Sequence, residues 1–509
     1  MRKSLLATIT VTVLAAALGL DASSAAAAGS TPPTARLAVR VTPIPSTGQW
    51  KVVLDASGST PGSAPLTSYT FSLDGAEGGP VTQSTPVFSH VFSWAGQEGV
   101  NLLVSDADGL TDGTDQQITI GGRYQGLGPV RILDTRSAVG VGTTTPVPPG
   151  GTVSLPVTGR NGVPDTGVVA VVLNVTVDAP TAAGYLTVYP DGQARPAASS
   201  LNWAVGQTIP NLVTVSVVNG TIDLYNASPG TAHLVADLAG YYTTDPGSRL
   251  TSLGPVRILD TRSAVGVGTT TPVPAGGTVS LPVTGRNGVP DTGVTAVVLN
   301  VTVDAPTAAG YLTVYPDGDA RPLASNLNWA AGQTIANLVT IPVVNGTIDL
   351  YNASPGTTHL IADLAGYYGT NGSLLTPDGP VRLLDTRTGL GVPPTWETPI
   401  PPGGSMILQV GGVAGVPLNL VHGLILNVTI TEPSAIGYLT VYSNGTPKPL
   451  ASNLNWVAGQ TIANLVVLHT ADQSIEGPPA AYSASVILYN GSPGTVHVVA
   501  DLLGYLSGD

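Results

Sequence analysis

The chain has 509 residues, no cysteine, a formal net charge of −13 and only 10% charged residues. The lack of cysteine excludes disulfides, thiol nucleophiles, Cys-ligated zinc and a lipid-modified N-terminal cysteine. The acidic balance argues against nucleic acid and anionic membrane surfaces as partners. With Gly at 63 and Pro at 44, and with Val and Thr abundant, the composition favours short strands joined by turns, so an all-β chain is expected.

Residues 1–28 have the pattern of a secretory signal. Arg2 and Lys3 form the positive start, Leu5 to Leu20 the apolar stretch, and Ala26, Ala27 and Ala28 the small residues before a cleavage point. No second apolar span is long enough to cross a bilayer. The expected product is secreted, extracellular or associated with the cell surface, without a membrane span after cleavage.

Residues 31–121 alternate weakly in short runs separated by turn residues, the pattern of a small antiparallel sandwich. Asp55-Ala56-Ser57-Gly58-Ser59, Ser68-Tyr69-Thr70-Phe71, Asp74-Gly75, Ser89-His90-Val91-Phe92 and Val104-Ser105-Asp106-Ala107-Asp108-Gly109 resemble the PKD (polycystic kidney disease) domain. The resemblance implies an Ig-like β-sandwich used as a spacer or binding module beside secreted proteins. It departs at Phe71-Ser72-Leu73-Asp74-Gly75, where the family usually carries a Trp-Asp-Phe-Gly-Asp-Gly-like run. Asp106 and Asp108, with Asp112 and Asp115 nearby, are the oxygen donors that calcium would take; EF-hand spacing is absent, and no cofactor is expected.

A repeat array fills the rest: 125–242, 251–368 and 375–505. Each copy follows an expected Gly-Pro or Leu-Gly-Pro turn and opens on Val-Arg-Ile-Leu-Asp-Thr-Arg or its variant, at Val130, Val256 and Val381. Copies one and two are nearly identical, and copy three carries an insertion around 471–481. In copy one, strands are expected at 131–136, 152–158, 168–177, 185–189, 211–218, 221–225 and 233–241, with Asn219-Gly220 as a two-residue hairpin turn. Such a set predicts antiparallel β-sandwich, jelly-roll-like modules. The joints at 243–249 and 369–373 are rich in Gly, Ser and Thr and are expected to be flexible. The repeats resemble uncharacterised tandem modules of secreted actinobacterial proteins, a resemblance that implies a compartment and a modular habit but no ligand.

Strand alternation assigns the candidate site residues. It puts Ile132, Asp134 and Arg136 on one face and Arg131, Leu133 and Thr135 on the other. Arg131, Asp134 and Arg136, with Arg257, Asp260 and Arg262 and with Arg382, Asp385 and Arg387, form a repeated charged motif, read as a structural ion pair in preference to a clamp on a carboxylate or sugar acid. Tyr185, Tyr189 and Tyr225, repeated as Tyr311, Tyr315, Tyr351 and as Tyr438, Tyr442, Tyr489, face away from the aliphatic side. They are candidates for stacking on sugar rings, against the alternative that they cap the sheet. Asn174, Asn202 and Asn211, with Asn300, Asn328, Asn337, Asn427, Asn455 and Asn464, suggest a structural hydrogen-bond network. His233 and Asp237, repeated as His359/Asp363 and His497/Asp501, suggest a satisfied His–Asp pair. The absence of nucleophile, zinc-protease and phosphate-loop motifs argues against an enzyme.

The sequence therefore describes a secreted, non-catalytic binding or adhesion protein, attached to cell-wall or extracellular polysaccharide through repeated modules. The alternatives are a structural spacer or surface protein with protein contacts, and a cryptic glycan hydrolase using Asp178, Asp191 or Asp237.

Overall fold

The computed structural model describes residues 29–75, 79–394, 396, 398–470 and 484–508. The proposed signal, at 1–28, lies outside them, as does most of the insertion in the third copy. All the regular elements are strands.

The N-terminal domain packs two sheets. β1 (Ala38–Ile44), β2 (Gln49–Asp55) and β5 (Val87–Phe92) make one. β3 (Leu66–Leu73), β4 (Val81–Gln83), β6 (Gly96–Asp106) and β7 (Thr111–Ile120) make the other, in the order β4-β3-β6-β7. Trp50, Val52, Leu54, Phe71, Phe92, Val100, Leu102 and Val104 fill the space between them. Two of the aspartates weighed for calcium make local hydrogen bonds. Asp106 Oδ1 accepts the Asp108 and Leu110 amides and so shapes the hairpin turn, and Asp112 Oδ2 accepts the Ala35 amide. Among the described residues no group of three acidic or imidazole side chains could hold a metal.

Module 1 has eight strands: β8 (Arg123–Asp134), β9 (Thr152–Pro156), β10 (Val168–Asp178), β11 (Gly184–Pro190), β12 (Leu201–Trp203), β13 (Ile209–Ser216), β14 (Thr221–Asn226) and β15 (His233–Thr243). The inner sheet runs β13-β10-β15-β8 and the outer sheet β12-β11-β14-β9. Consecutive strands cross from sheet to sheet except β11 and β12, which pair in the outer sheet, and this is jelly-roll topology. Modules 2 and 3 repeat the order strand for strand. Asn219-Gly220 forms the expected tight turn, with both residues at positive φ and a single bridge between Val218 and Thr221, but it is not a hairpin, because the strands it joins, β13 and β14, belong to different sheets.

Two expectations about the opening strand are corrected. Gly128-Pro129 does not form a turn before it; β8 runs through from Arg123, and the sheet absorbs the extra residues as an irregularity opposite Ala239. A second irregularity sets Leu133 opposite Ala236 but Arg131 opposite Asp237. A bulge of this kind interrupts the two-residue side-chain period. Ile132 and Leu133 are therefore both buried, and Arg131 comes to the same side as Asp134.

The modules are not beads on flexible joints. The first described joint and its counterparts are built into a ring of backbone pairs. Tyr124 exchanges hydrogen bonds with Ser248 (2.7 and 2.8 Å), Leu250 with Ser373 (3.1 and 2.9 Å), and Leu375 with Gly122 (3.0 and 2.7 Å). Module 1 thus meets module 2, module 2 meets module 3, and module 3 returns to module 1. The three jelly rolls close around a common axis. Leu212, Leu338 and Leu465 share one apolar core there with Ala170, Val172, Ala296, Val298 and Ile425. Tyr124 stacks on Tyr368 at 4.0 Å between ring centroids, and the Tyr242 and Tyr368 hydroxyls are 2.6 Å apart.

The N-terminal domain docks on module 3. Trp50 Nε1 donates to Thr376 Oγ1 (3.2 Å), and the Tyr505 hydroxyl donates to the Gly48 carbonyl (2.9 Å).

Candidate functional site

The repeated asparagines form the polar part of the closure. Asn174 Nδ2 donates to the Ser325 carbonyl of module 2, Asn300 to Ser452 of module 3, and Asn427 to Ser199 of module 1, at 2.7, 2.7 and 2.6 Å. Asn337, Asn464 and Asn211 in turn donate to the side-chain oxygens of Asn174, Asn300 and Asn427. Their own oxygens accept the backbone amides of Leu212, Leu338 and Leu465. The expected network is present; it runs between modules and is anchored within each by Asn211, Asn337 and Asn464, which donate to the Ser200, Asn326 and Asn453 carbonyls. Asn202 stays outside it and accepts a hydrogen bond from Ser199 Oγ.

The charged motif sits at the same boundary. Arg131 donates to both oxygens of Asp237 (2.8 and 3.1 Å), to Asp134 Oδ2 (3.1 Å) and to the Leu323 carbonyl of module 2 (3.1 Å). Arg257 repeats the pattern with Asp363, Asp260 and the Leu450 carbonyl of module 3. Arg382 pairs with Asp501 and Asp385. Arg136 and Arg262 grip Asp134 and Asp260 with two nitrogens each, and these forks hold both carboxylates down at about 2. Arg387 holds Asp385 below the usual carboxylate range in the same way.

No His–Asp pair forms. Four residues along a strand span about 13 Å, and His233 Nδ1 is hydrogen-bonded to Thr135 Oγ1 (2.9 Å) while Asp237 belongs to Arg131. His359 and His497 are held by Thr261 and Thr386 alike.

The tyrosines divide by depth. Leu186 and Val188 point into the sandwich, so Tyr185, Thr187 and Tyr189 take the outer face. The segment after β11, residues 191–200, folds back over that face. Thr187 Oγ1 donates to the Ala198 carbonyl, and the Arg195 guanidinium lies 3.9 Å above the Tyr225 ring. Arg321 and Lys448 cover Tyr351 and Tyr489 at 3.9 and 3.6 Å. Tyr189, Tyr315 and Tyr442 are buried. Tyr185, Tyr311 and Tyr438 remain 40, 39 and 36% exposed.

Between modules 2 and 3 these parts line a groove of about 320 Å³. Arg257, Arg262 and Thr302 come from module 2, and Tyr438, Lys448 and Leu450 from module 3. Residue-by-residue reading of one module does not predict this groove, since its two walls come from different modules. The recurrence of Arg-Pro or Lys-Pro after each Gly-Tyr-Leu-Thr-Val-Tyr strand was the available signal.

No family model and no curated protein matches the chain. Among solved structures it is similar to the PKD1 domain of Vibrio anguillarum Epp, at 21% identity over 18% of this chain and 96% of that one, with a TM-score of 0.15. It is similar to carbohydrate-binding modules of the β-sandwich superfamily, at 14% identity over 43% of this chain and 94% of that one, with a TM-score of 0.15. It is also similar to Bacteroides ovatus SGBP-B in complex with a mixed-linkage heptasaccharide, at 12% identity over 93% of this chain and 99% of that one, with a TM-score of 0.13. The chain is all-β, built of antiparallel sandwiches, and among the described residues no helix is long and apolar enough to cross a membrane.

Proposed function

We propose that this is a secreted, non-catalytic attachment protein that holds polysaccharide through its three jelly-roll modules, with a PKD-like domain in front of them. The observation that carries the reading is the half-exposed tyrosine of each module, Tyr185, Tyr311 and Tyr438, beside the cation held over the next tyrosine inward. A flat aromatic face next to polar groups suits the apolar face of a sugar ring. The six inner tyrosines act as support for the loop at 191–200 and its counterparts. Because the modules close on one another, the three sites have fixed spacing, and avidity comes from a rigid array.

The carboxylates considered for hydrolysis do not favour an enzyme. Asp178 is bound by Arg136 and Thr208, and Asp237 is buried against Arg131. A structural role has its own support, since the modules contact each other along the whole axis. Sedimentation with insoluble cell-wall polysaccharide, chitin and cellulose separates the two. The attachment reading expects wild-type protein to pellet with at least one polymer. It also expects the triple variant Tyr185→Ala, Tyr311→Ala, Tyr438→Ala to stay in the supernatant with an unchanged melting temperature. A wild-type protein that pellets with none of them leaves the structural reading.

A further inference from the structure

The groove between modules 2 and 3 has more chemistry than stacking requires. Three cationic side chains, Arg257, Arg262 and Lys448, line one cleft in a chain of net charge −13. The two arginines are committed to Asp260, Asp304 and Asp363. Lys448 has no ion-pair partner among the described residues; its ammonium rests on the Tyr489 ring at 3.6 Å. The corresponding cations of modules 1 and 2, Arg195 and Arg321, stand near the strand carrying Asp223 and Asp349, and the matching position of module 3 is Ile487. Module 3 therefore lacks the acid that modules 1 and 2 carry on the strand beneath this cation.

The rim adds apolar surface from Tyr438 and from Leu450, whose side chain is 94% exposed.

We infer that the groove between modules 2 and 3 is a binding site for a carboxylated sugar, with the carboxylate facing Lys448 and the ring against Tyr438. The inference rests on the attachment reading and narrows it to uronic-acid-type residues at one of the three grooves. Charge-assisted contacts of this kind are stronger than neutral ones and are weakened by salt. A neutral sugar gains nothing from Lys448, so the site selects for the acid.

The test is calorimetric titration of the full chain with hexagalacturonate and with cellohexaose, at low and at high sodium chloride. The expected result is one site per chain for the acidic oligomer, at least tenfold tighter than for the neutral one, and weaker in high salt. Lys448→Ala is expected to weaken the acidic oligomer about tenfold and Lys448→Arg to keep its binding, both with an unchanged melting temperature. Equal affinity for both oligomers, or unaltered acidic binding in Lys448→Ala, overturns the inference. Binding of neutral polymers in the sedimentation assay without preference for the acidic oligomer sinks this inference alone. Absence of binding to every polymer and both oligomers sinks the attachment reading with it.

Discussion

Asn211→Ala tests whether the three modules are one cooperative body. The Asn211 side chain donates to the Ser200 carbonyl (2.6 Å) and to Asn427 Oδ1 (2.9 Å), and accepts the Leu465 amide (3.1 Å). The residue is fully buried, so no water replaces these bonds. Truncation leaves three buried polar groups without that partner, in modules 1 and 3. At about 1–3 kcal/mol for each such group, the loss is on the order of 3–9 kcal/mol, a large share of a domain's stability. The control is Asn202→Ala, which removes one bond from Ser199 at a partly exposed position and should cost under about 1 kcal/mol. Urea unfolding followed by tryptophan fluorescence reads both. The ring argument also predicts similar losses for Asn337→Ala and Asn464→Ala, because they occupy the same positions at the other two boundaries. A loss for Asn211→Ala no larger than that for Asn202→Ala would refute the reasoning.

Asp378 is fully buried near the docked N-terminal domain, neither of its carboxylate oxygens has a hydrogen-bond partner, and burial pushes its pKa up to about 6. The folded state therefore binds a proton more tightly than the unfolded chain. This favours the fold below about pH 4 and is lost as pH rises to 6, a swing of about 2–3 kcal/mol. Asp378→Asn should flatten that dependence in melts between pH 4 and 7; an unchanged profile would contradict it. Gly240→Ala should destabilise module 1 severely, because the added methyl would lie 2.4 Å from the Gln125 carbonyl oxygen, and Gly366→Ala and Gly504→Ala meet Thr251 and Thr376 in the same way. Soluble expression and melting temperatures near wild type would rule this out. Module 1 produced alone exposes the axis side of Ile209–Ser216, and sedimentation equilibrium should find it self-associated; a stable monomer at tens of micromolar would show the axis contacts to be dispensable.

Alternation of Leu186 and Val188 with Tyr185, Thr187 and Tyr189 was enough to orient the outer sheet, because a strand with one face in a core repeats every two residues. Gly and Pro punctuation and the Asn219-Gly220 turn marked most strand ends for the same local reason. The bulge opposite Ala236 and Asp237 was not legible. It depends on how two strands distant in the chain meet, and it brought Arg131 beside Asp134 against the simple period. The greater limit lay in Ile209–Ser216, where every residue is buried. Such a run shows that both faces are covered but not by which atoms. Local chemistry established three jelly rolls, their turns and their scarce, repeated charges. Only the tertiary structure determined that the second face of each inner strand is covered by the other modules. That closure turned the repeated asparagines into a ring and brought Lys448 opposite Arg257 and Arg262 across one groove.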